Sequence, residues 1–197
     1  MRKYLFWIFF LVPAILLWDA CQQSEKKNDK SQLDQEHWVG EGKKIAESAQ
    51  KALGKNLIAA LQEGGPAYAV EFCNSEAIPL TDSASLAMNV DLKRVSDKNR
   101  NPVNRANEEE LQFINYAKEQ LAKGEEIHPA IKESGGQIVG LYPIITNEMC
   151  LNCHGRQGEE IRDDTYEKIK HLYPEDLATG YRSGEIRGLW VVTMDTE

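Results

Sequence analysis

This sequence contains little sulfur and little imidazole, with four cysteines and four histidines in 197 residues. It has a single C-x-x-C and no H-x3–5-H, which excludes a zinc site built from two ligand pairs. No internal repeat is visible, so any prosthetic group is single and not one of an array. No excess of basic residues exists either. The formal net charge is −8, which disfavours nucleic acid and anionic lipid as partners. No apolar run reaches the length of a membrane span, and no kinase, cyclase or DNA-binding segment is present.

Against that background, Cys150-Leu151-Asn152-Cys153-His154 stands out. This is a C-x-x-C-H box, the attachment sequence for a c-type haem. Two thiols three positions apart can form thioethers with the two vinyl groups on one porphyrin edge, and the following histidine faces the iron. A thioredoxin-like redox pair is the competing reading. It requires a strand, then a helix whose N-terminus holds the first cysteine. Thr146-Asn147-Glu148 and Gly155-Arg156-Gln157-Gly158 read instead as a loop around the box.

The N-terminus indicates where attachment takes place. Arg2-Lys3 precedes an apolar run from Leu5 to Leu17, broken by Pro13, which reads as a secretory signal. Ala20-Cys21 then resembles the cleavage and lipidation point of bacterial lipoproteins, although Trp18 and Asp19 replace the usual leucine and small residue. The organisation expected is a signal peptide over 1–20, a disordered polar tether over 21–35 and a haem-binding domain over 36–197. Export, a membrane tether through lipidated Cys21 and haem attachment outside the cytoplasm agree with one another. Removing residues 1–20, which carry Arg2, Lys3 and Asp19, leaves a net charge of −9. Roughly 165 residues remain after the tether, enough for one domain with a core.

With Cys150 and Cys153 in thioethers and Cys21 in lipid, Cys73 is left alone. An unpaired thiol in an oxidising compartment is either a small buried hydrophobe or a ligand. The sharper reading makes Cys73 the second axial ligand of the iron. The competitors are Met88, Met149, Met194, His37, His128 and His171, or an open site. Met149 adjoins the box and is expected on the wrong side.

Apolar periodicity predicts helices over 36–62, 67–74 and 75–88, the first ended by Gly64-Gly65-Pro66 and the last bent at Pro79. A strand over 90–96 and a loop over 99–104 follow. Asn107-Glu108-Glu109-Glu110 has the form of a capping box opening a helix through Lys123, with Gly124 beyond its end. Strands are expected over 126–131, 137–146 and 185–194, and a helix over 163–172. The order implies an α+β domain with a mostly antiparallel sheet.

Four stretches carry a resemblance over roughly residues 36–195. They are Ala69-Val70-Glu71-Phe72-Cys73 with Ala77, the run Leu92 to Asn104, Tyr142-Pro143-Ile144, and Cys150 to Gly155. Gly184-Glu185-Ile186-Arg187-Gly188 also fits. Together they resemble the monohaem c-type proteins with a PAS-like fold. Arg105-Ala106 departs from that pattern, where a proline is usual. The resemblance implies one haem held between an N-terminal helical cap and a PAS-like sheet, with His154 and Cys73 as axial ligands.

Arg94 falls in phase with Val90 and Leu92 and so is expected to point inward, where a guanidinium requires an anion. The haem propionates are the natural candidates, with Lys98 and Arg100 as alternative partners. Asn101-Pro102 fixes an extended turn that lays the 94–104 loop, including Asn104, along the porphyrin edge. Three functions follow. The first is a redox- or small-gas-responsive sensory module that passes its state to another protein, with NO or CO as ligands of the ferrous form. The second is a low-potential electron carrier with an exposed haem edge. The third, a haem enzyme, would need a distal His and Arg beside an open iron, so no enzyme activity is expected.

Overall fold

The computed structural model describes the backbone of residues 12–196 and the side chains of 34–196. The signal-peptide reading of residues 1–20 lies largely outside the described residues, and the Cys21 side chain lies wholly outside them. The chain divides into two units, residues 1–38 and 39–197. The backbone over 21–35 is helical, part of α1 (Val12–Met88), where a disordered tether was expected. No Gly or Pro interrupts 21–35, and Gln, Glu and Lys are good helix formers, so polarity there does not preclude helix. Among the described residues, no helix is long and apolar enough to cross a membrane.

In the second unit, α1 is interrupted only at Gly65, whose φ of 73° and ψ of −170° leave helical space. Glycine alone reaches that conformation without strain. The expected break is therefore present at Gly65. Pro79, where a bend was expected, lies inside the helix, and the residues around it keep helical dihedrals. Two arms of α1 result, one before and one after Gly65.

A sheet follows, built from β1 (Asp91–Val95), β2 (Ala130–Ser134), β3 (Gln137–Ile145) and β4 (Ile186–Asp195). The spatial order is β1-β4-β3-β2 and every pairing is antiparallel. β2 starts later than expected. Pro129 has no N–H for a ladder, and Gly135 and Gly136, both at positive φ, form the tight turn that pairs Ser134 with Gln137. Between β1 and β3, α2 (Glu108–Lys123) begins at a capping box in which Asn107 and Glu110 exchange hydrogen bonds, and ends on left-handed Gly124.

The sheet buries both faces. On one, α2 sets Phe113, Ile114 and Ala117 against Val95, Leu141, Leu189 and Val191. On the other lies α1, where Trp190 donates to Gln50 (2.9 Å) and Tyr142 donates to the Val39 carbonyl (3.3 Å). Tyr142 fits because Gly42 and Gly140 leave room, as a Cβ on Gly42 would stand 2.0 Å from its hydroxyl oxygen. Two short helices, α3 (Glu148–His154) and α4 (Asp163–Leu172), connect β3 to β4.

Candidate functional site

A cavity of about 220 Å³ opens between the two arms of α1, the sheet and α3. One water needs only about 10–15 Å³, so this is space for a larger ligand. Leu53, Leu57 and Leu61 line it from the first arm, Ala69, Val70, Cys73 and Ala77 from the second. Cys150, Cys153 and His154 enter from α3. The kink at Gly65 lets both arms contribute walls, and so brings Cys73 into the same cavity as the C-x-x-C-H box.

The box is helical and not a loop. Asn147 caps α3, accepting from the Cys150 backbone N–H, and Cys150 is the third helical residue after strand β3. The strand and helix that a thioredoxin-like pair would want are thus present, contrary to the loop expected around the box. Burial pushes the Cys153 thiol up to about 11. Cys150 and Cys153 are both free.

His154 is held by its neighbours. Its Nδ1 lies 2.7 Å from the Ala178 carbonyl oxygen, which only accepts, so Nδ1 carries the proton and Nε2 keeps the lone pair. Burial, with Arg187 and Arg100 nearby, holds the ring well below the usual histidine range and therefore neutral. A neutral imidazole with its lone pair on Nε2 is the form that binds metal. Here that lone pair accepts from the Arg187 Nε (3.4 Å). Burial raises the Cys73 thiol, and Arg94 and Arg100 oppose that rise, as cations near a forming thiolate do.

Arg94 points into the cavity. It donates to the Ala77 carbonyl (3.0 Å) and stacks on Trp190, with 5.5 Å between guanidinium carbon and ring centroid. Its Nε has no partner. Arg187, which sequence reasoning did not single out, also lines the cavity and donates to Ser96 Oγ (3.0 Å) and the Lys98 carbonyl (3.2 Å). Among the described residues neither arginine has a carboxylate partner. Two guanidiniums on neutral acceptors fit a dianionic ligand, a charge that two propionates would supply. The signal for Arg187 lay in Gly184-Glu185-Ile186-Arg187-Gly188. A shift of register between Ile144 and Ile145, opposite Gly188 and Ile186, decides which way it faces.

The other expected residues divide. Asn101 and Asn104 line the cavity, and Asn104 also donates to the Arg94 carbonyl (2.6 Å). Pro102 begins a 3-10 turn (Pro102–Asn104) and is exposed, away from the lining. Lys98 donates to the Thr179 carbonyl, and Arg100 pairs with Asp176, so both already have partners. Among the alternative axial ligands, Met149 lines the cavity from α3, the same element as the box. Met194 is buried in the sheet, His37, His128 and His171 are exposed, and neither Met194 nor Met88 lines the cavity.

A family model described as Tll0287-like matches residues 20–195. A solved structure, the crystal structure of the cyanobacterial heme-protein Tll0287, aligns with a TM-score of 0.59 at 19% identity. The alignment covers 81% of this chain and 95% of that one. At that identity the likeness is one of fold. No curated protein matches the chain. The chain belongs to the Tll0287-like family, in agreement with the resemblance carried by its four motif stretches.

Proposed function

We propose that this chain is an exported monohaem c-type protein, tethered through a lipidated Cys21, that acts as a redox- or small-gas-responsive module. One observation carries the haem reading. Cys150, Cys153, His154 and Cys73 converge on a single cavity that also holds two guanidiniums without carboxylate partners. The cyanobacterial heme-protein Tll0287, which has the same fold, adds support.

In this reading Cys150 and Cys153 provide the thioether sulfurs, and Asn147 fixes Cys150 at the head of α3. His154 offers Nε2, its ring orientation set by the Ala178 carbonyl. Cys73 faces it from the second arm of α1, and the helical arms play the part of a PAS-like cap over the sheet. Arg94 and Arg187 hold the propionates. When bound, haem supplies one-electron redox chemistry and, if an axial position opens, a site for NO or CO. Cys73 would be the side chain able to release the iron, because its anionic sulfur would be held less strongly by ferrous than by ferric iron. The Cys73 arm and the 94–104 loop would thus adopt different arrangements in the two oxidation states, which is what sensing requires.

Spectra of the purified protein, ferric then ferrous, with and without CO, test this directly. Haem should stay with the protein through acid–acetone extraction, and ferrous protein should bind CO quickly. Full extraction would refute c-type attachment. A ferrous form that stays six-coordinate, ignores CO and exchanges electrons rapidly with small redox proteins would make the chain an electron carrier instead.

A further inference from the structure

Two segments meet behind His154, and one ion pair joins them. The Arg100 Nε donates to Asp176 Oδ1 (2.9 Å), and its Nη2 donates to the Cys153 carbonyl (2.6 Å) and the Ala178 carbonyl (3.3 Å). Asp176 Oδ1 also accepts from the Ala178 backbone N–H (3.1 Å). The Ala178 oxygen is the acceptor for His154 Nδ1. The pair is almost dry, with Arg100 and Asp176 side chains 11% and 8% exposed. The segment after Asp176 then runs on beside the box, with Gly180 N–H donating to the Gly155 carbonyl (2.7 Å) and Tyr181 N–H to that of His154 (2.9 Å).

We propose that Arg100, held by Asp176, is a positioning residue that sets the orientation of His154 through the Ala178 carbonyl. The inference rests on the haem reading above. The guanidinium fork reaches a carboxylate and two carbonyls at once, one on the box and one on the histidine's acceptor, so it fixes the distance between them. Lysine keeps the charge but offers a single nitrogen and cannot span the three acceptors. Cut off from water, the pair is not loosened by solvent exchange, so the ring has one orientation and not several.

Ferric EPR of the full-length haem-loaded protein tests this, because the low-spin g values depend on the plane of the axial imidazole. Wild type should give one narrow set. Arg100→Lys should split or broaden it. Asp176→Ala, which releases the guanidinium, should do the same, while Asp176→Asn keeps the acceptor oxygen and should restore the single set. The Asp176 pair decides the matter if Arg100→Lys fails to fold. A wild-type signal from Arg100→Lys or Asp176→Ala would overturn the positioning role. Equal broadening in Asp176→Asn and Asp176→Ala would also overturn it, assigning the effect to charge. Haem-free wild type would remove the haem reading and this inference together; haem-loaded wild type with unmoved variants removes this inference alone.

Discussion

Replacing Arg94 by methionine should have opposite consequences in the haem-free and haem-loaded protein. Without haem, the guanidinium sits buried against Trp190, its Nε has no partner, and no carboxylate neutralises it. Burial already holds it below the usual arginine range. Arg94→Met forfeits the hydrogen bond to Ala77, about 1.5–3 kcal/mol for a charged donor, and the stacking on Trp190, up to about 2 kcal/mol when dry. It regains a desolvation penalty of several kcal/mol. The Ala77 oxygen is not orphaned, because Thr81 Oγ also donates to it (2.8 Å). The haem-free protein should therefore be unchanged or slightly more stable. With haem bound, the same substitution also removes a propionate partner, a further loss of about 1.5–3 kcal/mol. For a domain of this size, 1 kcal/mol moves Tm by about 2–4 °C, so the loaded variant should lose about 3–12 °C more than the haem-free one. Thermal melts of wild type and Arg94→Met, each loaded and in a Cys150→Ser/Cys153→Ser background, measure that difference. Equal shifts in both backgrounds would show that Arg94 meets no anion and would refute the propionate assignment.

Cys73→Ala should remove a low-spin thiolate signature from the ferric EPR spectrum and raise the midpoint potential. An unchanged spectrum would return Cys73 to packing and make Met149, which also reaches the cavity, the next ligand to test. Mass spectrometry of membrane-extracted protein should find the chain starting at a diacylglyceryl-modified Cys21, and a chain that retains Met1 would exclude it. Gly188→Ala would place a Cβ 2.2 Å from the Val95 carbonyl oxygen, where the neighbour is backbone and cannot swing aside. It should lower the urea midpoint by the equivalent of about 1–3 kcal/mol, and a wild-type midpoint would show that β1 and β4 separate freely there.

Much of this protein was legible in its sequence wherever the cause was local. Asn107 and Glu110 fix the start of α2 by exchanging bonds three residues apart, and Gly124 ends it because only glycine rests easily at positive φ. The helix 163–172 was expected and is found with the same bounds, since its apolar spacing is complete within ten residues. The box itself needs only its own spacing to point to a thioether-linked group. Three things were decided elsewhere. Whether the box is loop or helix depended on the Asn147 cap and on β3 stopping at Ile145. Polar composition over 21–35 did not show whether the backbone there is helical, because good helix formers such as Gln, Glu and Lys are themselves polar. Above all, Cys73, Arg94, Arg100, Arg187 and His154 come from separate elements and share a cavity only after α1 kinks at Gly65 and packs on the sheet. Burial is a property of that assembly. It makes an arginine without a carboxylate notable and a histidine neutral, and no spacing along the chain records it.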